Sequence, residues 1–322
     1  MQAGAVALSL LAVPLNSHVL EALAKEPRPL IDLRQAVGSP PQTTMRGHLR
    51  NLARTGILER HRREEFPGTV DLELATSGSD LLRVAEVLQA WLERAPRGPI
   101  RLGEPAAKSA TKALVDGWSS ALVRALVAKP LSLTELSSVI SGISYPSLER
   151  RLGAMRLAGQ LDRSPGRSGR TLYVVTDWLR HGVAPIVAGM SWERRHLPAD
   201  AISLRQIDFE TLFLLGLPLT RLPENLSGSC RLAVELPGVE GDRRLGGVVA
   251  EIREGRVVSC VTRLEREAGT WACGTAPAWL RAATDGDANE LELGGDCSLA
   301  RSLIEGLHGS LFGTSDESLN AV

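Results

Sequence analysis

Two short stretches of this chain concentrate arginine in a pattern that suits polyanion chemistry. Between residues 45 and 63 stand Arg46, Arg50, Arg54, Arg60, Arg62 and Arg63, against the single acid Glu59. Between 150 and 170 stand Arg150, Arg151, Arg156, Arg163, Arg167 and Arg170, against Asp162. A guanidinium is planar, permanently charged and rich in donors, so it pairs bidentately with phosphate and with the guanine edge. Phosphate pairing supplies affinity and base-edge pairing supplies selectivity.

Other chemistry is thin. The six histidines, His18, His48, His61, His181, His196 and His308, have no ligand spacing. The four cysteines, Cys230, Cys260, Cys273 and Cys297, all lie in the last third, and none forms a C-x-x-C pair. That is neither a zinc framework nor a secreted disulfide scaffold, and a reduced cytoplasm suits it. There is no G-x-S-x-G, Walker loop, H-E-x-x-H or dinucleotide fingerprint. The expectation is a protein that is not an enzyme, with no catalytic residues, no metal site and no cofactor.

The elements that must position the arginines repeat. Residues 17–60 align with 120–163 at a constant separation of 103, without a gap. Matched pairs include Ser17/Ser120, Leu23/Leu126, Pro27/Pro130, Leu33/Leu136, Leu49/Leu152, Gly56/Gly159 and Arg60/Arg163. One supersecondary unit therefore occurs twice. Val19, Leu20 and Leu23 recur at helical spacing before Pro27, and Leu30, Leu33 and Val37 mark a short second helix. After Gly38-Ser39-Pro40-Pro41, with Ser39 as expected N-cap, a third helix turns Met45, Leu49 and Leu52 inward. Gly56 suits a C-terminal cap, and Ile57–Arg60 and Val70–Ala75 read as a hairpin turning at Phe66–Thr69. The order helix, helix, turn, helix, hairpin is that of a winged helix. In the second copy the tip is Ser164–Gly169, and Thr176 matching Thr76 makes this wing three residues shorter. Each copy should end in a long helix, near 78–94 and 177–195, the usual place for dimer contacts.

On the third helix, Thr43, Gly47, Arg50 and Arg54 lie opposite the apolar stripe, beside Thr44, Arg46 and Asn51. With Arg62 and Arg63 of the wing they form the expected DNA-binding face of the first copy. Tyr145, Ser147, Arg150, Arg151, Arg167 and Arg170 form that of the second. His48 falls beside the buried stripe, where packing or capping is expected. The copies differ: Arg46 corresponds to Glu149, Gly47 to Arg150 and Arg54 to Leu157. Unequal heads favour an asymmetric site.

Charge divides the chain. Residues 1–100 carry 12 Lys/Arg and 11 Asp/Glu, residues 101–198 carry 14 and 7, and residues 199–322 carry 11 and 19. The nets are +1, +7 and −8, so a basic part is joined to one that should avoid polyanions. Ala3–Val13 is apolar, but no Lys or Arg precedes Lys25 and no run spans a bilayer, so the segment reads as a globular first helix and no membrane is expected.

The two copies resemble HxlR-type winged-helix regulators, over about residues 8–95 and 110–197. The second carries Asp116-Gly117-Trp118-Ser119, Leu133-Thr134-Glu135-Leu136, Gly142-Ile143-Ser144, Leu148-Glu149-Arg150-Arg151-Leu152 and Ala158-Gly159 where that family has its characteristic segments. Neither copy has the cysteine common near the start of such domains, so the resemblance does not imply thiol sensing.

Residues 199–313 read as a separate α/β domain. They contain a hairpin at Glu254-Gly255, an apolar stretch from Ile207 to Leu219, and a terminal helix with Leu299, Leu303, Leu307 and Leu311 on one face. The Glu254-Gly255-Arg256-Val257 hairpin, the Trp279-Leu280 helix after Thr275-Ala276-Pro277, and Leu293-Gly294-Gly295-Asp296 are similar to the sterol-carrier-protein-like fold. That resemblance, over about 228–313, implies an apolar tunnel, with Phe209, Phe213, Trp271, Trp279, Leu303 and Leu307 as candidate lining.

The expected architecture is mainly α with β-wings, as two tandem winged-helix domains at 1–98 and 108–197. A sterol-carrier-protein-like domain at 199–313 and a disordered tail at 314–322 complete it. The expected function is a cytoplasmic, ligand-responsive regulator of transcription. Its partners would be double-stranded DNA and a hydrophobic or aromatic effector. The two heads would work as a homodimer or as an intramolecular pseudo-dimer. A ligand-sequestering self-resistance protein and an architectural DNA-binding protein are the alternatives.

Overall fold

The computed structural model describes residues 4–62, 70–118, 121–166, 170–198, 204–237 and 243–313. The expected tail at 314–322 lies outside them. The first unit runs α1 (Ala5–Leu11), α2 (Pro14–Leu23), β1 (Arg28–Pro29), α3 (Leu30–Ala36), α4 (Gln42–Arg54), β2 (Leu58–Arg62), β3 (Val70–Leu74) and α5 (Thr76–Glu93). Its strands form an antiparallel sheet in the order β1-β3-β2. The next segment has nearly the same order: α6 (Pro105–Trp118), α7 (Ala121–Ala128), α8 (Leu133–Val139), α9 (Tyr145–Ala158), β4 (Leu161–Pro165), β5 (Thr171–Val175), α10 (Asp177–His181) and α11 (Val183–His196).

Strand pairing relates these segments closely. Arg28 pairs with Leu72, and Leu131 bridges Tyr173. Leu58 pairs with Leu74, and Leu161 with Val175. In both cases the first partners are 103 apart and the second partners 101 apart. The second hairpin is thus two residues shorter than the first, not three. Thr176 is the N-cap of α10, accepting from the Leu179 amide, while Ala75 holds that place before α5. The Thr76/Thr176 identity therefore does not mark structurally equivalent positions. Gly56 (φ 71) and Gly159 (φ 85) end α4 and α9 in the left-handed region, where a side chain would be strained.

Two further expectations differ. Ser39 sits in the left-handed region (φ 53), and α4 starts from Pro41 with no side-chain cap. Arg34 Nε instead bonds the Pro40 carbonyl at 2.8 Å and ties down the turn. The expected helix at 177–195 is broken at Gly182 into α10 and α11. Pro185 explains the break, because it lacks the N–H that would reach the His181 carbonyl and its ring crowds that carbonyl.

The two segments pack through α5 and α11. Trp91 Nε1 donates to the Trp178 carbonyl at 2.8 Å, and Trp192 Nε1 donates to the Ser77 carbonyl at 2.7 Å. Both donors and both acceptors are 101 residues apart, so the two segments exchange equivalent bonds, α5 giving to α10 and α11 to α5. Trp178 Nε1 also donates to the Trp91 carbonyl, and the Trp91 and Trp178 rings stack at 4.3 Å and 2°. Glu193, fully buried on α11, accepts the amides of Gly4, Val6 and Ala7 and so caps α1. Burial pushes its carboxyl above the ordinary glutamate range, against the pull of those amides. The α1–α2 pair is bent by 84°, and no single helix among the described residues is long and apolar enough to cross a membrane.

The last segment runs α12 (Gln206–Gly216), a 3-10 turn, β6 (Gly228–Pro237), β7 (Arg243–Arg253), β8 (Arg256–Val261), β9 (Thr270–Thr275), α13 (Ala276–Asp285), β10 (Glu292–Gly294) and α14 (Cys297–Phe312). The sheet order is β10-β9-β6-β7-β8, with β6 and β9 parallel and the other pairs antiparallel. The inward-facing residues of β6 and β7, among them Cys230, Leu232, Val234, Val248 and Ala250, are buried. The segment docks on the second one, where Arg124 of α7 pairs with buried Glu210 of α12, whose other oxygen accepts from Gln206 at 2.6 Å.

The exchanged indoles predict symmetric losses. Trp91→Phe and Trp192→Phe each keep most of the aromatic area and remove one buried donor. Each should destabilise the fold by about 1 kcal/mol in denaturant titration. A second prediction concerns acid. Asp80 on α5 accepts from His196 Nε2 at 2.8 Å and Arg195 Nη1 at 3.4 Å. Burial alone would raise its carboxyl, but its contacts with these two partners outweigh burial and hold it below the ordinary aspartate range. A carboxyl depressed on folding stabilises above its unfolded value and stops doing so as pH falls through its folded value. Unfolding midpoints taken from about pH 6 to about pH 3 should fall less steeply for Asp80→Asn than for the native chain.

Candidate nucleic-acid interface

Helix α4 buries Met45, Leu49 and Leu52 and turns Thr43, Thr44, Arg46, Gly47, Arg50 and Arg54 to solvent. The sequence-derived face of the first unit is therefore one continuous exposed stripe. Arg54 Nη2 donates to Asn51 Oδ1 at 3.0 Å, which steadies the end of that stripe. The helix is set from beneath: His48 Nδ1 meets Asn16 Oδ1 at 2.9 Å, and Asn16 Nδ2 donates to the Leu10 carbonyl at 3.0 Å. His48 thus has the packing role expected of it. Asn16, buried and 32 residues away, was missed because no local pattern marks such a pair.

The wing adds two cations. Arg60 and Arg62 are exposed and share one face of β2, while Glu59 and His61 share the other. His61 Nε2 pairs with Glu73 at 2.8 Å. Glu59, His61 and Glu73 offer ligand atoms within 4.8 Å of one another, the one such group found among the described residues, and they lie at the surface. Arg63 lies outside the described residues.

In the second unit, α9 buries Leu148, Leu152 and Met155. Arg150 and Tyr145 are exposed, while Ser147 is half-buried with its hydroxyl accepting from Ser144 at 3.0 Å. Arg151 departs from its expected place. It is half-buried and its Nη1 reaches the Asp116 carbonyl at 3.5 Å, so it faces α6 rather than open solvent. Arg170 is exposed and lines a cleft of about 390 Å³ with Ser132, Leu133, Thr134, Glu135, Ser138 and Thr171. Arg163, which the sequence-derived set omitted, is exposed on β4 with its guanidinium 6.0 Å from the Tyr173 ring centre. Arg167 lies outside the described residues.

The six candidate ligand-lining residues do not share one surface. Phe209, Phe213, Trp279, Leu303 and Leu307 are fully buried core. Phe213 meets Trp279 edge-on at 4.9 Å, and Trp279 Nε1 donates to the Ala233 carbonyl at 2.8 Å. Trp271 lies on the opposite face of the sheet, 37% exposed, because β9 alternates and its neighbours Thr270 and Ala272 point inward. It packs over Gly294 of β10, where a Cβ would meet the indole. Burial lifts the Cys230 and Cys260 thiols to about 12, and none of the four cysteines is in a disulfide.

Gly47 offers a clean probe of the α4 stripe. A Cβ there meets nothing within 4 Å, so no internal packing requires glycine. Gly47→Ala should stabilise the fold by about 0.5–1 kcal/mol in thermal unfolding. If the stripe lies against a duplex, the same change should weaken duplex binding in a gel-shift titration.

A comparison with curated proteins finds no match. Residues 15–97, which contain α4 and the β2–β3 wing, match the HxlR-like helix-turn-helix family. The match supports an HxlR-type winged-helix segment and suggests a DNA-binding regulator of transcription.

Proposed function

We propose that this chain regulates transcription by holding double-stranded DNA with two winged-helix units joined as an intramolecular pseudo-dimer, while the acidic C-terminal domain receives an effector. The observation that carries the proposal is the exposed stripe Arg46, Gly47, Arg50 and Arg54 on α4, inside the segment that matches a DNA-binding family. The duplicated unit is supported by the equivalent strand pairings Arg28–Leu72 and Leu131–Tyr173. The exchanged indole bonds of Trp91 and Trp192 support the pseudo-dimer. In this reading the chain binds rather than catalyses and works in the cytoplasm.

The receiver role rests on charge and attachment. A domain with 11 Lys/Arg against 19 Asp/Glu over 199–322 is repelled by a duplex. It touches the second unit through the Arg124–Glu210 pair, and α13 packs on α11. Its described core is closed around Phe213 and Trp279, so a hydrophobic or aromatic effector would enter by parting α12 or α14 from the sheet.

Fluorescence anisotropy with a labelled duplex from upstream of the gene tests the DNA reading on the full chain. Affinity should fall steeply with salt, with a log–log slope of about 0.9 per neutralised phosphate. A flat dependence would remove the nucleic-acid reading. A thermal-shift panel of hydrophobic and aromatic compounds tests the receiver. A compound at about 100 times its Kd should add about 2.7 kcal/mol of stability, and should then change the measured duplex affinity. Hits that bind and leave duplex affinity unchanged would make the domain a sequestering module.

A further inference from the structure

Compared position by position at a separation of 103, α4 and α9 present different chemistry to solvent. The stripe Thr43, Arg46, Gly47, Arg50, Arg54 on α4 becomes Pro146, Glu149, Arg150, Gly153, Leu157 on α9. Three cations become one, a carboxylate stands where Arg46 stood, and Leu157 is 64% exposed in place of Arg54. Base edges are read by donors and acceptors on long side chains, and this stripe has Arg150 and Glu149 alone for that work. A carboxylate against a duplex is repelled by phosphate unless it reaches a cytosine amino group.

One flank of α9 is also occupied. Helix α6 lies along it, with Gln160 Nε2 bonded to the Ala110 carbonyl at 2.8 Å and Arg151 turned to the Asp116 carbonyl. Arg97, from the segment after α5, donates to the Leu157 carbonyl at 2.8 Å.

The flanks of the two units differ in the reverse sense. Beside the second wing, Thr134, Thr171 and Arg170 line the 390 Å³ cleft, while Arg163 on β4 repeats the exposed Arg60 of β2 and is common to both units. Glu135 shares that cleft, but its carboxylate is taken by the Ser132 amide and hydroxyl at 2.8 and 2.7 Å. In the first unit the positions matching Thr134 and Thr171 are Ile31 and Val70, 72% and 47% exposed, which offer phosphate nothing. Hydroxyls and arginines on a wing flank suit backbone oxygens, which carry no sequence information.

From this we infer that the two units divide the work: α4 reads sequence through Arg46, Arg50 and Arg54, and the second unit is a sequence-tolerant clamp on the phosphate backbone through Arg150, Arg163 and Arg170. The inference rests on the DNA-binding reading above and adds which unit specifies the site. It requires a target with one informative half and one tolerant half.

The test is selection of the full chain against a random double-stranded DNA library, followed by titration of the selected duplex and a scrambled one. One contiguous informative half is expected. Arg50→Ala and Arg54→Ala should each shrink the ratio of the two affinities by at least about fivefold. Arg150→Ala and Arg163→Ala should lower both affinities by a common factor, leave the ratio intact, and reduce the salt slope by about 0.9 each. Two equally informative halves would overturn the division of labour while leaving DNA binding in place. So would an affinity ratio that Arg150→Ala shrinks as much as Arg50→Ala does. No enrichment together with no affinity for any duplex would overturn both readings. All four arginines are exposed, so their replacement leaves the core untouched.

Discussion

The antiparallel contact between α5 and α11 is the constraint on which the rest of the molecule depends. Trp91 of α5 donates to the Trp178 carbonyl of α10, just before α11, and Trp192 of α11 donates to the Ser77 carbonyl at the start of α5. The Trp91 and Trp178 rings stack face to face at the first of these bonds. Sliding the helices would leave buried N–H groups without acceptors, at about 1–3 kcal/mol for each. It would also break the Asp80 contacts with Arg195 and His196 and pull Glu193 away from the start of α1. The contact therefore sets the distance and orientation between α4 and α9.

This clamp is sealed unevenly. Helix α1 packs on α11, in the other unit, whereas α6 packs on α9 within its own unit. The difference leaves α4 open and covers a flank of α9. The C-terminal domain deepens the asymmetry by docking on α7, α10 and α11 of the second unit. Its anchor is a buried glutamate, Glu210, which holds both Arg124 and Gln206. A buried carboxylate that loses its partner is costly, so this junction resists separation. A movement of α12 would meet α7 directly and meet α5 through α11.

The closed core of the C-terminal domain has its own logic. Phe209 and Phe213 on α12, Trp279 on α13 and Leu303 and Leu307 on α14 converge on one face of a five-stranded sheet. Strand β9 inserts parallel to β6, so the chain must cross from the edge strand β8 to the far side. Along that crossing Arg266 pairs with Glu251 and its carbonyl accepts from Arg231. These bonds lay the connection against the outer face, the same face that bears Trp271.

Much of this was legible in the residues alone. The separation of 103 between matched residues, the apolar triads Met45/Leu49/Leu52 and Leu148/Leu152/Met155, and the arginine stripe of α4 are legible in the chain itself. Helical periodicity decides which residues face inward wherever a core exists, so these survived folding unchanged. The Glu254-Gly255 hairpin is local, since both residues adopt positive φ as a tight turn demands. What the sequence could not decide was everything set by partners distant along the chain. The hydroxyl of Ser39 looked like a cap until the Arg34–Pro40 bond claimed the turn. Arg151 looked free until α6 packed on α9, and Trp271 looked like cavity lining until strand alternation turned it outward. The pairing of Trp91 with Trp178 and of Glu193 with Gly4 spans 87 and 189 residues. Such contacts leave no periodic trace, because a hydrogen bond constrains two positions and not the spacing between their neighbours. Periodicity determined what each helix would bury, and only tertiary packing determined which exposed faces stayed open to a ligand.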